Sequence, residues 1–285
     1  MPEKRIGLFT IASKNYLAYA RVLLQSVARF HPNYRLFLCL VDEVSGKFDP
    51  EREPFTIISA KDLGIESFDD MRLRYDVMEL NTAVKPFVFE HLFEKSELDA
   101  LIYLDPDIRL YFKMGLLESV LDRGASVVLT PHITRPLEDG RSPDDLDIVQ
   151  AGVFNLGFIA VSRGDEGRRF VRWWAKRLTT GAAADLSQGL FTDQKWCNLA
   201  PALVGDLHIL KYPGYNVAYW NLNERTLEST DGMWLSNGVP LVFYHFSGVN
   251  VEKPDILSKH QNRFSFSDLP LQKTLGLWRE DLKVT

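Results

Sequence analysis

Short apolar runs alternate with longer stretches of helical spacing through the first half of this chain. Arg5–Ala12 (RIGLFTIA) is a near-continuous apolar run of strand length. Asn15–Phe30 then carries Leu17, Ala20, Leu24 and Val27 at the spacing of one helix face, and His31-Pro32-Asn33 stops it. Arg35–Val41 and Phe55–Ile58 read as a second and a third strand. Phe68–Phe93 reads as helical with an interruption at Pro86. Leu101–Leu104 has the composition of an interior parallel strand, and Ser126–Thr130 (SVVLT) is another strand. Such alternation predicts an α/β fold with a mostly parallel, Rossmann-like sheet and helices on its faces. Ligands of such sheets bind beyond the carboxyl ends of the strands.

The second half is less regular. His132–Gln150 is a polar connection, Val153–Val161 a strand and Asp165–Leu178 a helix, and a further helix begins within Asp193–Leu199. Leu241–Phe246 (LVFYHF) is a late strand, followed by a polar tail. No internal repeat or low-complexity linker interrupts the chain, so the expectation is one domain over 1–285, with halves 1–130 and 131–285.

Composition narrows the classes. With 285 residues, 46% hydrophobic and 12% aromatic, the chain can bury a substantial core, which excludes disorder as its main state. A net charge of −5 offers no basic field for nucleic acid. The longest apolar stretch, AGVFNLGFIAVS, is broken by Gly and Asn and is too short to span a membrane. MPEKRIGLFT enters a strand without the apolar segment of a signal peptide. Cys39 and Cys197 lie in apolar or helical surroundings and read as packing residues, so a reducing cytoplasm is expected.

The densest chemistry lies in Leu101–Tyr111 (LIYLDPDIRLY). Asp105 and Asp107 leave the end of a buried strand two residues apart, around the stiff turn of Pro106. In extended backbone, residues i and i+2 project to one side, so both carboxylates can converge on one point. Two hard oxygen ligands suit a divalent cation that keeps its other positions for water and a diphosphate. Asp145-Leu146-Asp147 repeats the pattern in a polar, proline-containing stretch with no strand before it, and reads as a solvated loop. His245 ends a late strand, and a neutral imidazole there can complete the Asp105/Asp107 set and favour Mn2+ over Mg2+. Gly248 allows close backbone approach to a phosphate, and Lys253 can bring positive charge to a leaving diphosphate. Thr10 to Ser13, including Ala12, end the first strand, where short side chains let backbone reach a nucleotide. Tyr16 either stacks on a base or packs. Asn155 needs a partner within its apolar strand, a sugar hydroxyl or the backbone, and Asp193 is a plausible helix N-cap.

Taken in order, FTIASKNYLAYARVLLQSV, YLDPDI, FNLGFIAVS, TDQKWCNL and YHFSGVNVEKP resemble segments of the retaining glycosyltransferases of family 8 type, which have the GT-A fold. The resemblance implies a metal-dependent transfer of a hexose from a nucleotide-diphosphate sugar to a hydroxyl of a glycan or glycolipid. It further implies a nucleotide-binding half, 1–130, and an acceptor half, 131–285, in which His132–Gln150 is a candidate acceptor loop or lid. Asp193 and Gln194 match the pair that faces the donor sugar, Asn155 and Gly157 the donor-sugar segment, and Lys85 a basic residue near the donor, although a surface lysine fits that position equally. Uridine diphosphate is favoured by resemblance alone, because Ser13 and Lys14 stand where an aspartate commonly reads the uracil. Gly248 and Lys253 are also spaced more widely than in the family. An inverting transferase with Asp193 as general base and a non-catalytic glycan-binding module remain alternatives. A pyrophosphorylase does not fit, since IASKNY lacks the glycines of its phosphate loop. The helix GRRFVRWWAKRL (Gly167–Leu178) allows at most peripheral contact with the inner face of a membrane.

Overall fold

The computed structural model describes residues 4–43, 49–250, 253, 256–265 and 278–283. Seven strands form the central sheet in the order β3-β2-β1-β4-β7-β6-β8. They are β1 (Ile6–Ala12), β2 (Arg35–Leu40), β3 (Thr56–Ser59), β4 (Ala100–Leu104), β6 (Val127–Pro131), β7 (Phe154–Ser162) and β8 (Leu207–Ile209). β1 is parallel to β2 and β4, which explains its unbroken burial: a strand flanked on both edges and covered on both faces has no polar side. β7 runs antiparallel to β4 and β6, so the sheet is mixed but mostly parallel.

The alternation along β1 divides two cores. Phe9 and Ile11 face one of them, together with Tyr103 of β4. That layer is built by α2 (Phe68–Arg74), α3 (Val77–Ala83), α4 (Lys85–Lys95) and α7 (Asp165–Gly181). Leu8 and Ala12 face the other core, closed by α1 (Leu17–Phe30) and α5 (Gly115–Asp122). Each fully buried Leu, Ile or Phe side chain contributes about 1.5–3 kcal/mol. In α7, Phe170, Val171, Trp174 and Leu178 turn into the core while Arg169, Arg172 and Lys176 are exposed. Among the described residues no helix is long and apolar enough to cross a membrane.

Expectations change at several places. The stretch Phe68–Phe93 is three helices, broken at Tyr75-Asp76 and at Val84. Asp76 starts α3 with a capping box, its carboxylate accepting from Glu79 N and the Glu79 carboxylate accepting from Asp76 N. Pro86 lies in the first turn of α4, where its missing N–H costs nothing. Asp145-Leu146-Asp147 is no loop. It opens α6 (Asp145–Ala151), capped by Asp144 through a reciprocal bond pair with Asp147, and Asp145 accepts from Leu137 N. Acids there offset the orphan N–H groups of a helix start.

Outside the central sheet, β5 (Ile108–Leu110) pairs antiparallel with β12 (Phe243–His245). β9 (Leu227–Thr230), β10 (Met233–Ser236) and β11 (Val239–Pro240) form a meander that the sequence pattern did not reveal. The late strand Leu241–Phe246 is thus confined to three residues. The region of Asp193–Leu199 is a turn and a 3-10 segment before the single turn of α8 (Ala200–Leu203). Residues 278–283, within the expected polar tail, are helical.

Tyr75 joins the end of α2 to the end of α7: its hydroxyl donates to Leu178 O (2.9 Å) and accepts from Ala182 N (3.1 Å). Tyr75→Phe leaves two buried backbone groups unpaired, and about 1–3 kcal/mol of stability is expected to be lost in urea unfolding. A change under about 0.5 kcal/mol would mean that this link is replaced by water.

Candidate active site

The site grows from the point where the chain leaves the central sheet. β4 pairs with β7 up to Leu104 opposite Phe158, and Asp105 N still donates to Gly157 O (2.9 Å). Three residues later Ile108 stands opposite His245 in the β5–β12 pair, and Phe246 N donates to Asp107 O (2.9 Å). The turn Asp105-Pro106-Asp107 is therefore held at both ends by different sheets. His245 Nε2 lies 3.1 Å from Asp107 Oδ1 and 3.6 Å from Asp105 Oδ2. One ligand atom from each of the three residues falls within 4.8 Å of the others, a donor set of two carboxylates and an imidazole that fits a divalent cation.

The surroundings tune these groups. Burial pushes the His245 imidazole down, but the Asp107 and Asp105 carboxylates push it further up, so the net shift is upward. The Tyr103 hydroxyl donates to Asp105 Oδ1 at 2.5 Å, which fixes that carboxylate's rotation. Burial first, and the Asp105 charge second, hold the Tyr103 hydroxyl protonated well above its usual range.

Lys85 is no surface lysine. It is 1% exposed, its Nζ lies 2.6 Å from Asp193 Oδ2, it donates to Leu156 O (2.8 Å) and it sits 4.1 Å from the Tyr103 ring centroid. Burial raises the Asp193 carboxyl, Lys85 opposes that and Asp105 adds to it, with a net upward shift. Because Lys85 and Asp193 neutralise each other, the charge facing the cation position is that of Asp105 and Asp107. Asp193 caps no helix with its side chain. Its neighbour Gln194 donates from Nε2 to Ala151 O (2.9 Å) and accepts at Oε1 from Leu156 N (3.4 Å).

Gly157 earns its place by close approach. A Cβ there would stand 2.4 Å from His245 Cε1 and 2.8 Å from Asn155 Oδ1. Asn155 has structural partners: its Oδ1 accepts from Gly157 N (3.1 Å) and Asn216 Nδ2 (3.0 Å), and its amide nitrogen lies 3.2 Å from His132 Nε2. His132, which the sequence did not single out, is buried and pushed down to about 4 by that burial, hence neutral. Trp220 lies edge-on between the His132 and His245 rings, 5.2 Å from each.

Ala12 and Ser13 reach the carboxyl end of β1, whereas Thr10 is fully buried inside the strand. Ser13 Oγ accepts from Asn81 Nδ2 (3.0 Å), and Lys14 N donates to Asp42 Oδ2 (2.6 Å). Tyr16 is 43% exposed and stacks on Tyr19. A recess of about 230 Å³ brings Tyr16 and Tyr19 together with Asp107, Phe246, Gly248, Lys259 and Trp278. Gly248 has φ +72°, where side chains are strained, and its carbonyl accepts from Lys259 N (3.1 Å). Lys253 is exposed and does not line that recess; Lys259 does. Nothing in the linear spacing announced Lys259, which reaches the site through a fold-back of the tail. Tyr103 was readable, since residues two apart in a strand share a side.

No family model matches the chain. It is 25% identical over 255 residues to the uncharacterized protein YfnF of Bacillus subtilis strain 168, covering 85% of this chain and 81% of that protein. It is 23% identical over 244 residues to YfnD of the same organism, with 84% and 76% covered. Among solved structures it resembles the galactosyltransferase LgtC in complex with donor and acceptor sugar analogs, at TM-score 0.58 and 14% identity over 96% of this chain and 95% of that one. It also resembles the glycosyltransferase GlyE of Streptococcus pneumoniae TIGR4, at TM-score 0.55 and 16% identity over 98% of this chain and 62% of that one. The chain has the GT-A glycosyltransferase fold.

Gly157→Ala drives a methyl group into the His245 ring. Manganese affinity, read by electron paramagnetic resonance, is expected to fall at least about tenfold as an imidazole ligand is misplaced. Unchanged affinity would contradict the placement of His245.

Proposed function

We propose that this protein is a metal-dependent glycosyltransferase. It moves a hexose from a nucleotide-diphosphate sugar to a hydroxyl of a glycan or glycolipid acceptor, with retention of the anomeric configuration. The observation that carries the reading is the convergence of Asp105, Asp107 and His245 beside the buried Lys85–Asp193 pair and Gln194, where β4 leaves the sheet. A manganese or magnesium ion held by the three residues supplies charge neutralisation for the leaving diphosphate.

The protein's own groups complete the assignment. Lys259 rather than Lys253 is the cation available to the diphosphate, because it shares the recess with Asp107 and Gly248. Tyr16 borders the same recess and serves as a platform for the nucleoside, with uridine favoured by resemblance. Inversion needs a carboxylate base that is free to deprotonate the acceptor. Asp193 is 2% exposed and engaged by Lys85, which supports the alternative in which the departing phosphate oxygen takes the acceptor's proton on the leaving-group face. Near Gln194 a cavity of about 270 Å³ is lined by His132, Phe191, Tyr219, Trp220 and His260. Aromatic rings that present apolar faces beside polar groups suit the C–H face of a sugar, so this cavity supports a saccharide acceptor.

Asp107→Ala is expected to lower kcat/KM for nucleotide-sugar turnover by roughly a thousandfold, the scale of losing a transition-state electrostatic partner, with the melting temperature preserved. Full activity of this variant in chelator would sink the metal assignment. Lys259→Ala is expected to weaken uridine diphosphate binding about tenfold in calorimetry, as loss of a charge-assisted contact implies, and Lys253→Ala to leave it nearly unchanged. The reverse order would return the role to Lys253. The anomeric proton coupling of the product, read by NMR against that of the donor, tests retention, and an inverted centre rejects it.

A further inference from the structure

We infer that the C-terminal helical residues 278–283 act as a clamp on the metal and donor site, with Trp278 as a positioning residue. The inference rests on the metal-dependent reading above and adds a part of the chain that none of its motifs contains. Trp278 is fully buried and stacks on Phe246 with ring centroids 4.2 Å apart and planes at 10°. Phe246 directly follows His245, and its backbone N–H is bonded to Asp107 O. Trp278 also meets Tyr19, at 5.4 Å with planes tilted by 51°, and Tyr19 stacks on Tyr16 at 4.9 Å. Phe246, Trp278, Tyr19 and Tyr16 thus form a series of four aromatic rings along the recess beside Asp107, with the ring from the helix second in the run.

A second tether acts on the opposite strand. Asp281 pairs with Arg109 (2.8 Å), and Arg109 lies in β5, two residues after Asp107 and opposite Tyr244 in β12. The helix therefore touches both strands whose ends carry Asp107 and His245. Removing the indole leaves a large cavity under Phe246, and packed groups relax into such space only partly, so the His245–Gly248 segment is free to shift.

Coupling of this kind is reciprocal: if docking of the helix strengthens ligand binding, the ligand must strengthen docking by the same factor. A core tryptophan with a purely structural role shows only the uniform slowing that any ligand of the native state gives, so the slowing in 278–283 has to exceed that of the rest of the core. Manganese and uridine diphosphate are therefore expected to slow hydrogen exchange in residues 278–283 at least about threefold in the wild-type chain. Trp278→Ala is expected to lower manganese affinity, with uridine diphosphate present, about tenfold, and Trp278→Phe to keep most of it. Asp281→Asn breaks the tether without opening the core, so it reports even if Trp278→Ala fails to fold, with an expected loss of about twofold to threefold. Wild type that takes up no manganese contradicts the functional reading and this inference together. Wild type that binds, with exchange in 278–283 unmoved and Asp281→Asn at full affinity, overturns the clamp alone.

Discussion

Asp105-Pro106-Asp107 spans the gap between two sheets, and the candidate site depends on that handover. Asp105 is still tied to β7 through Gly157, and Asp107 is already tied to the segment after β12 through Phe246. Neither end can drift, so two carboxylates are kept near each other although they repel. At an effective dielectric near 20, two such charges 4 Å apart repel by about 4 kcal/mol. The imidazole raised above its usual range and the hydroxyl of Tyr103 each offset part of that cost. A divalent cation offsets it more fully, which gives the arrangement its chemical direction.

The Lys85–Asp193 pair sets the charge of the surroundings. Burying two ions is costly, and attraction between them recovers that cost only when further partners satisfy the remaining donors and acceptors. Lys85 has them in Leu156 O and the face of Tyr103. The lysine thereby links α4, β7 and the turn before α8 around Tyr103, the residue that orients Asp105. Neutral Gln194 completes this wall with both ends of its amide engaged. Positions that look like independent polar residues along the chain form one connected structure.

The strands of the first half were legible because full burial on two faces leaves continuous apolar runs, and Asp105, Asp107 and His245 were legible because they end such runs. Strand direction was not: FNLGFIAVS reads the same whether β7 runs with or against β4. Asp145-Leu146-Asp147 was misread as a loop because a capping box has the polar composition of a loop, and its helical sense comes from a bond between Asp144 and Asp147 three residues apart. Lys253 sits nearer in sequence to the motif, but a fold-back brings Lys259 to Gly248. Trp278 lay beyond every motif, and its stacking on Phe246 is a contact between segments far apart in sequence.

Anomalous diffraction at the manganese edge, from crystals grown with manganese and uridine diphosphate, tests the central claim most directly. The account predicts one strong peak about 2.2 Å from Nε2 of His245 and from a carboxylate oxygen of each of Asp105 and Asp107. A peak held by other residues, or none at this turn when the nucleotide is bound, would contradict it.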